Sequence, residues 1–359
     1  MSASIAFENK RFTPAEFASL NTSALTFQGL GAGQQFIHDW LNNKQLFYQK
    51  SSGSTGKPTN HKISREMISA SARRTIAALE IKRGSRALVC INMAYVGGKM
   101  MLARGLMHGW QLQIAAPDTD LSSILAQNQF DFSAMVPLQL QKLIDQPNGE
   151  QLLNNIHTLI IGGAAVSEAL TQKIQTLKCR IYATYGMTET VSHIALQRLN
   201  GPDRSNHFTL LPDIAHQLDE RGCLMLRGDV TQQEWIVTND LVAFQNDRDF
   251  KVLGRADHVI NTGGVKVQIE SLEARIQATG LFDSKGIAIA SLPDSKLGSK
   301  VVLVVEGEVK DQDYLMTTLK QQLPLYHNPR AIFSINRLPR TASDKLDRLS
   351  LLEWLKKKT

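Results

Sequence analysis

From Ser64 to Tyr185 short apolar runs alternate with amphipathic helical patterns, and this alternation restricts the possible folds more than any other feature of the chain. Ser64 suits the N-cap of a helix that carries Met67, Ile68, Ile76 and Leu79 on one side. Ala87 to Asn92 reads as a buried strand and Lys99 to His108 as a helix. Phe132 to Val136, His157 to Ile161 and Cys179 to Tyr185 read as further strands, with helical stretches over Leu138 to Asp145 and Ser167 to Leu177. Strands that alternate with helices predict a mostly parallel sheet covered on both faces. The first forty residues read as irregular.

From Phe208 to Leu253 the pattern changes to short β-like pieces, with turns at Asp219-Glu220-Arg221-Gly222 and Asn246-Asp247. Gly254-Arg255-Ala256-Asp257 then marks a boundary, and Thr262-Gly263-Gly264 signals a hairpin. A helix from Ile269 to Thr279 follows, then strands over Gly286 to Ser291 and Lys300 to Glu306, then a helix from Asp311 to Leu323. The expected architecture is α/β: a large layered domain over residues 1–253 and a small α+β domain over 254–359. A chain of 359 residues has ample surface to bury for two such units.

Composition excludes several classes. No apolar run approaches the roughly 20 residues of a membrane span, and Met1 to Lys10 lacks the apolar core of a secretory signal. Cys90, Cys179 and Cys223 form no C-x-x-C pair, which argues against a disulfide framework and structural zinc and favours a reducing cytoplasm. The formal charge of +7 is spread along the chain, with one run at Lys356-Lys357-Lys358 that reads as a solvated helix end. No nucleic-acid face is expected, whereas attraction for anionic small molecules is. Oligomeric state leaves no mark on the sequence.

The stretch Lys50-Ser51-Ser52-Gly53-Ser54-Thr55-Gly56-Lys57 has no core-forming side chain. It is suited to laying backbone N–H groups, hydroxyls and an ammonium around a polyanion. A Walker A loop is excluded, because Ser51 stands where that motif needs glycine and Pro58 where it needs a hydroxyl.

This loop resembles the phosphate loop of the adenylate-forming superfamily of acyl-CoA synthetases, adenylation domains and luciferases. The family's other motifs follow in order: Gly162-Gly163-Ala164-Ala165, Tyr185-Gly186-Met187-Thr188-Glu189-Thr190, Thr238-Asn239-Asp240-Leu241, Gly254-Arg255-Ala256-Asp257 with Gly263-Gly264 and Glu270, and Pro339-Arg340-Thr341-Ala342-Ser343-Asp344-Lys345-Leu346-Asp347. About fifty residues precede the loop, fewer than the family's large domain usually carries, so the expected large domain is of truncated type.

The resemblance implies attack of a small-molecule carboxylate on the α-phosphate of ATP, giving an acyl-adenylate and then a CoA thioester. Two anions must meet, so charge neutralisation dominates the barrier. On this basis Ser51, Ser52, Gly53, Ser54, Thr55, Gly56 and Lys57 hold the outer phosphates. Gly163, Ala164, Ala165, Tyr185, Gly186 and Met187 line the nucleotide, Thr188 touches the α-phosphate, and Glu189 binds Mg²⁺. Asp240 takes the ribose hydroxyls with Arg255 beside it, and Lys345 is the catalytic cation. Asp257 is the implied hinge, and Gly263 and Gly264 the face offered to CoA. Asn239 and Asp344 replace glycines of the pattern, and Asp344 sets a negative charge beside Lys345.

The compact length, the segment Thr188 to Leu196 and the segment Tyr95 to Arg104 also resemble a subgroup of o-succinylbenzoate–CoA ligases of menaquinone biosynthesis. That acid is an aromatic keto dicarboxylate, so its second carboxylate needs a partner, for which Lys99, Arg104 and His193 are candidates; Tyr95 offers a ring edge. Three alternatives stay open: another aryl- or acyl-CoA ligase, a stand-alone adenylation enzyme serving a carrier protein, and a nucleotide-binding regulator without turnover.

Overall fold

The structure, a computed structural model, describes residues 2–21, 27–50, 60–282, 286–341 and 345–358. Its larger sheet is built from β1 (Ser4–Phe7), β2 (Lys10–Phe12), β5 (Arg86–Val89), β6 (Gln111–Ile114), β7 (Phe130–Met135), β8 (Ile156–Ile161) and β9 (Arg180–Gly186), continued by β10 (His193–Arg198), β11 (Phe208–Leu210), β12 (Ala215–Leu218), β13 (Cys223–Arg227), β14 (Ile236–Phe244) and β15 (Asp249–Arg255). Between β2 and β5 in the chain, β3 (Leu46–Lys50) and β4 (Asn60–Ser64) form a separate antiparallel ribbon. The order across the larger sheet is β12-β13-β14-β15-β11-β10-β9-β8-β7-β5-β6-β1-β2.

From β1 to β9 the central neighbours are parallel. From β9 to β12 every neighbour is antiparallel. The expectation of a mostly parallel sheet therefore holds over the stretch from which it was drawn, β5 to β9, and the antiparallel strands that extend the same sheet are the addition. Turns such as Asp219–Gly222 are too short to carry a crossover helix, so the strands they join return antiparallel.

Among the described residues, the first forty are not irregular, which corrects the sequence reading. Helix α1 (Pro14–Ala18) starts at Thr13, whose capping box with Glu16 is complete. Helix α2 (Leu30–Leu41) buries Leu30, Phe36, Ile37 and Trp40. Gly29 caps it at φ +99°, where a Cβ would lie 2.1 Å from the Asn92 side chain. The glycines at the start of this helix hide its apolar period, because closeness to Asn92 and Met93 replaces side-chain bulk there.

Helices α3 (Arg65–Ala78) and α4 (Val96–His108) pack with α2 on one face of the larger sheet, around Ile68, Ile76, Met101, Trp110 and Phe132. Ser64 caps α3, accepting from the Met67 N–H at 3.2 Å. The other face is covered by the helices Ser122–Gln127, Pro137–Ile144, Gly149–Leu153 and Glu168–Lys173.

The smaller, C-terminal sheet contains β16 (Val259–Thr262), β17 (Val265–Gln268), β18 (Ile287–Asp294), β19 (Gly298–Glu306) and β20 (Ile332–Ile335). The helix Ile269–Gln277 and the helix Gln312–Gln322 cover one face, and the helix Arg348–Lys356 covers the other. Gly263 and Gly264, at φ +57° and +79°, form the two-residue turn of the β16–β17 hairpin, a geometry that side chains resist.

Candidate active site

A cavity of about 1740 Å³ opens at the carboxyl ends of the parallel strands. Ile91 and Asn92 follow β5, Val136 follows β7 and Gly162 to Val166 follow β8; with Tyr185 and Gly186 at the end of β9, they form its floor. Ligands of open parallel sheets sit in this position, because the loops there can vary while the strands hold them in place. Asp240, Arg255, Glu270 and Lys345 close the opposite side.

One wall is an ordered charge network. The β14–β15 ladder sets Asp240 opposite Arg255. Asp240 Oδ1 accepts from Arg255 Nη1 at 3.1 Å and its Oδ2 from the Tyr185 hydroxyl at 2.6 Å. Arg255 also grips Asp257 with two hydrogen bonds of 2.9 Å, which raises the guanidinium's proton affinity further. Burial, then the charge of Asp240, push the Tyr185 hydroxyl above its ordinary range, so it remains a donor. Gln268 joins the Arg255 carbonyl, at 2.9 Å, to Glu270, at 2.6 Å, and Glu270 is bonded in turn to His258. Although burial raises the Glu270 carboxyl, the bonds from His258 and Gln268 bring it below its ordinary value.

Lys345 lines the same cavity, and its backbone N–H is held by the Thr341 hydroxyl at 3.2 Å. Burial and the nearby Arg255 charge lower its proton affinity, while Asp240 acts in the opposite sense. The structure thus brings the motifs around residues 185, 240, 255 and 345 to one wall. Asp344 and the whole loop from Ser51 to Lys57 lie outside the described residues.

The other end of the cavity is set by a sharp turn. After β9, Thr188–Thr190 form a single 3-10 turn and Val191 takes φ +66°. The Thr190 hydroxyl shares its single proton between the carbonyls of Ser192, at 2.8 Å, and Met187, at 3.1 Å, and accepts from the Met187 N–H, which fixes the turn from inside. Gly186 permits the crossing, since a Cβ there would lie 2.3 Å from the Ser192 carbonyl oxygen. Glu189 is consequently presented with 38% of its side chain exposed, 3.7 Å from His61 Nε2 on β4.

No group of three or more His, Cys, Asp or Glu side chains that would hold a metal occurs among the described residues. A lone carboxylate such as Glu189 fits Mg²⁺ that arrives on nucleotide phosphates, since this ion keeps most of its waters and takes few protein ligands.

Behind Ser192 lies a buried polar cluster. Arg104 of α4 is 1% exposed yet borders the cavity. Its Nη2 donates to the hydroxyls of Thr75 and Ser192, both at 3.2 Å. No carboxylate pairs with it among the described residues, its Nε has no partner, and burial pushes the guanidinium down to about 9. His193 is buried, 3.0 Å from Thr75 Oγ1, and burial together with Arg104 holds its imidazole well below the ordinary range. Lys99 donates to the cavity-lining Gln49 at 2.8 Å, and burial lowers its proton affinity. Tyr95 stands on the cavity wall at the N-cap of α4. Thr75, His61 and Gln49 escaped the sequence reading, since none carries a motif, and Ser192 was read only as part of the segment Thr188 to Leu196 with no role of its own; Thr75 lies 118 positions from the histidine it bonds.

Comparison with known proteins fits this arrangement. A family model described as AMP-binding enzyme matches residues 18–218. The 2-succinylbenzoate–CoA ligase of Lactococcus lactis subsp. lactis (strain IL1403) is 24% identical over 331 residues, covering 87% of this chain and 72% of its own. A solved acyl-CoA synthetase (AMP-forming)/AMP-acid ligase II-like protein from Dyadobacter fermentans DSM 18053 is 36% identical, with a TM-score of 0.63 over 95% of this chain and 98% of its own. The o-succinylbenzoate coenzyme A synthetase of Bacillus subtilis, solved with ATP and magnesium ion, shares the fold at 20% identity and a TM-score of 0.72, over 85% of this chain and 69% of its own. No helix among the described residues is long and apolar enough to cross a membrane. The chain belongs to the AMP-binding enzyme family, the family of AMP-forming acid–CoA ligases.

Proposed function

We propose that the chain joins o-succinylbenzoate to CoA through an acyl-adenylate, at the expense of ATP, as a step of menaquinone biosynthesis. The observation that carries this reading is Arg104, a guanidinium sealed into the cavity wall with no carboxylate partner among the described residues. A buried unpaired cation is costly, and an acid that brings a second carboxylate relieves that cost when it binds. An acid with one carboxylate spends it on the phosphate and leaves Arg104 unpaired.

In this reading residues 1–253 bind ATP and acid, and 254–359 form a mobile domain that turns about Asp257. Asp240, a carboxylate already oriented by Tyr185 and Arg255, accepts hydrogen bonds from the ribose hydroxyls. Ser51 to Lys57 retain the outer phosphates, and Glu189 holds Mg²⁺ on them, which spreads their charge. Thr188 contacts the α-phosphate. Lys345 sits between the two reacting anions and neutralises charge that grows in the transition state. After pyrophosphate leaves, Gly263 and Gly264 supply a face without side chains for the narrow arm of CoA.

The test is a screen of candidate acids with ATP, Mg²⁺ and CoA that reads AMP and thioester together. The expected result is coupled release with o-succinylbenzoate. AMP and thioester from a different acid alone would reassign the substrate, and transfer to a phosphopantetheinyl carrier in place of CoA would reassign the acceptor.

A further inference from the structure

The protons around Arg104 can be assigned from the distances. Thr75 Oγ1 lies 3.1 Å from the Ser71 carbonyl oxygen, to which its single proton is donated. Every other contact of that oxygen must then be accepted. Arg104 Nη2 donates to it at 3.2 Å, and His193 Nε2 stands 3.0 Å away, so the imidazole carries its proton on Nε2. His193 Nδ1 is left as an acceptor facing the Ser192 hydroxyl at 3.4 Å. Ser192 Oγ also accepts from Arg104 Nη2, at 3.2 Å. Both hydrogens of Nη2 are then used, Nε is sealed off without a partner, and Nη1 has no acceptor among the described residues.

We propose that Thr75 is a positioning residue for the acid substrate: its hydroxyl, with that of Ser192, turns Arg104 so that Nη1 is the donor offered to the acid's second carboxylate. The proposal rests on the dicarboxylate reading above. It makes recognition end-on, through one terminal nitrogen, because the Nε edge needed for a side-on bidentate pair is buried against protein. His193 serves the same cluster as a neutral donor to Thr75 and does not itself receive the acid.

The probe pair is o-succinylbenzoate and 4-oxo-4-phenylbutanoate, which keeps the chain carboxylate and lacks the one on the ring. AMP release is measured for wild type, Thr75→Val, Thr75→Ser and Ser192→Ala, with melting temperature as the control for folding. Wild type is expected to favour the diacid. Thr75→Val should raise KM for the diacid about 10-fold or more, with kcat, KM for ATP and KM for the monoacid little changed. Thr75→Ser should restore the wild-type value. If Thr75→Val does not fold, Ser192→Ala carries the test with the same expected split. A wild type without preference between the two acids overturns the dicarboxylate reading and the proposal with it. A preference that survives in both Thr75→Val and Ser192→Ala overturns the proposal alone, as does an equal loss with both acids.

Discussion

Replacing Arg104 by methionine separates a functional cation from a structural one. Burial lowers the guanidinium from 12.5 to about 9. At about 1.4 kcal/mol for each tenfold change in proton affinity, this amounts to about 5 kcal/mol against keeping the charge in the wall. Against it stand the two bonds from Nη2 to the Thr75 and Ser192 hydroxyls, together worth about 3–6 kcal/mol for a charged donor. The two sums nearly cancel, so Arg104→Met is expected to change unfolding free energy by less than about 2 kcal/mol. That is a small effect for a side chain 1% exposed, because truncation of a large core residue ordinarily costs about 3–5 kcal/mol. The acid should respond quite differently, with KM for a dicarboxylate rising about 100-fold as a charge-assisted bond is lost. Urea unfolding at constant slope, run beside AMP-release kinetics, measures both quantities. A variant that loses more than about 4 kcal/mol and retains its KM for diacids would show that Arg104 holds the fold together, and the reasoning from its missing counter-ion would be wrong.

Lys345→Ala should abolish adenylate formation while leaving nucleotide affinity within a few-fold; adenylation at the wild-type rate would remove Lys345 from the chemistry. Because burial lowers this lysine from 10.5, the alkaline limb of adenylation in the wild type should fall below that pH, which a rate profile from pH 7 to 11 checks. Tyr185→Phe removes the 2.6 Å bond to Asp240 and should raise KM for ATP by about 5–10-fold with kcat nearly kept; isotherms for ATP binding decide it. His193 resists protonation when folded, so below its ordinary value of 6.5 the unfolded chain binds a proton that the folded chain refuses. Stability contributed by the neutral imidazole should therefore be present above about pH 6.5 and fall as the pH drops through that value; His193→Gln should flatten the slope in melts from pH 5 to 8.

How much the sequence disclosed depended on whether a feature is local. The Ser64 cap of α3, the body of α4, the hairpin at Gly263-Gly264 and the turn at Asp219–Gly222 are written in adjacent residues, and the structure has them there, with α4 starting three residues earlier than expected. Helix α2 was hidden because Gly29 and Gly33 flank and interrupt its first turn, where they meet Asn92 and Met93 closely and leave Leu30 as the single bulky side chain there. The β pieces and turns from Phe208 to Leu253 were legible, but not that they pair antiparallel and continue the parallel strands in a single sheet, which depends on contacts across the chain. In the site, ordered motifs identified the residues around 185, 240, 255 and 345, whereas Thr75 belongs to no motif and Ser192 carried no role within the segment that contains it. That Arg104 has no carboxylate partner among the described residues cannot be written in a sequence at all, since it depends on which side chains stay away.

The turn at Thr188–Thr190 ties two inventories together. In the proposed reading Glu189 on its outer side serves the phosphate end and Ser192 just beyond it the acid end, and the Thr190 hydroxyl with the close crossing at Gly186 holds the two close together. A substitution at Ser192 or His193 that shifts the backbone of the turn, rather than one that only trims a hydroxyl, is therefore transmitted to the carboxylate at Glu189. Such a chain would explore new acids more freely through α3 and α4, from positions such as Thr75 and Tyr95, than through the turn itself. Redesign of its specificity should begin on those helices, where the chemistry of the phosphates is not at stake.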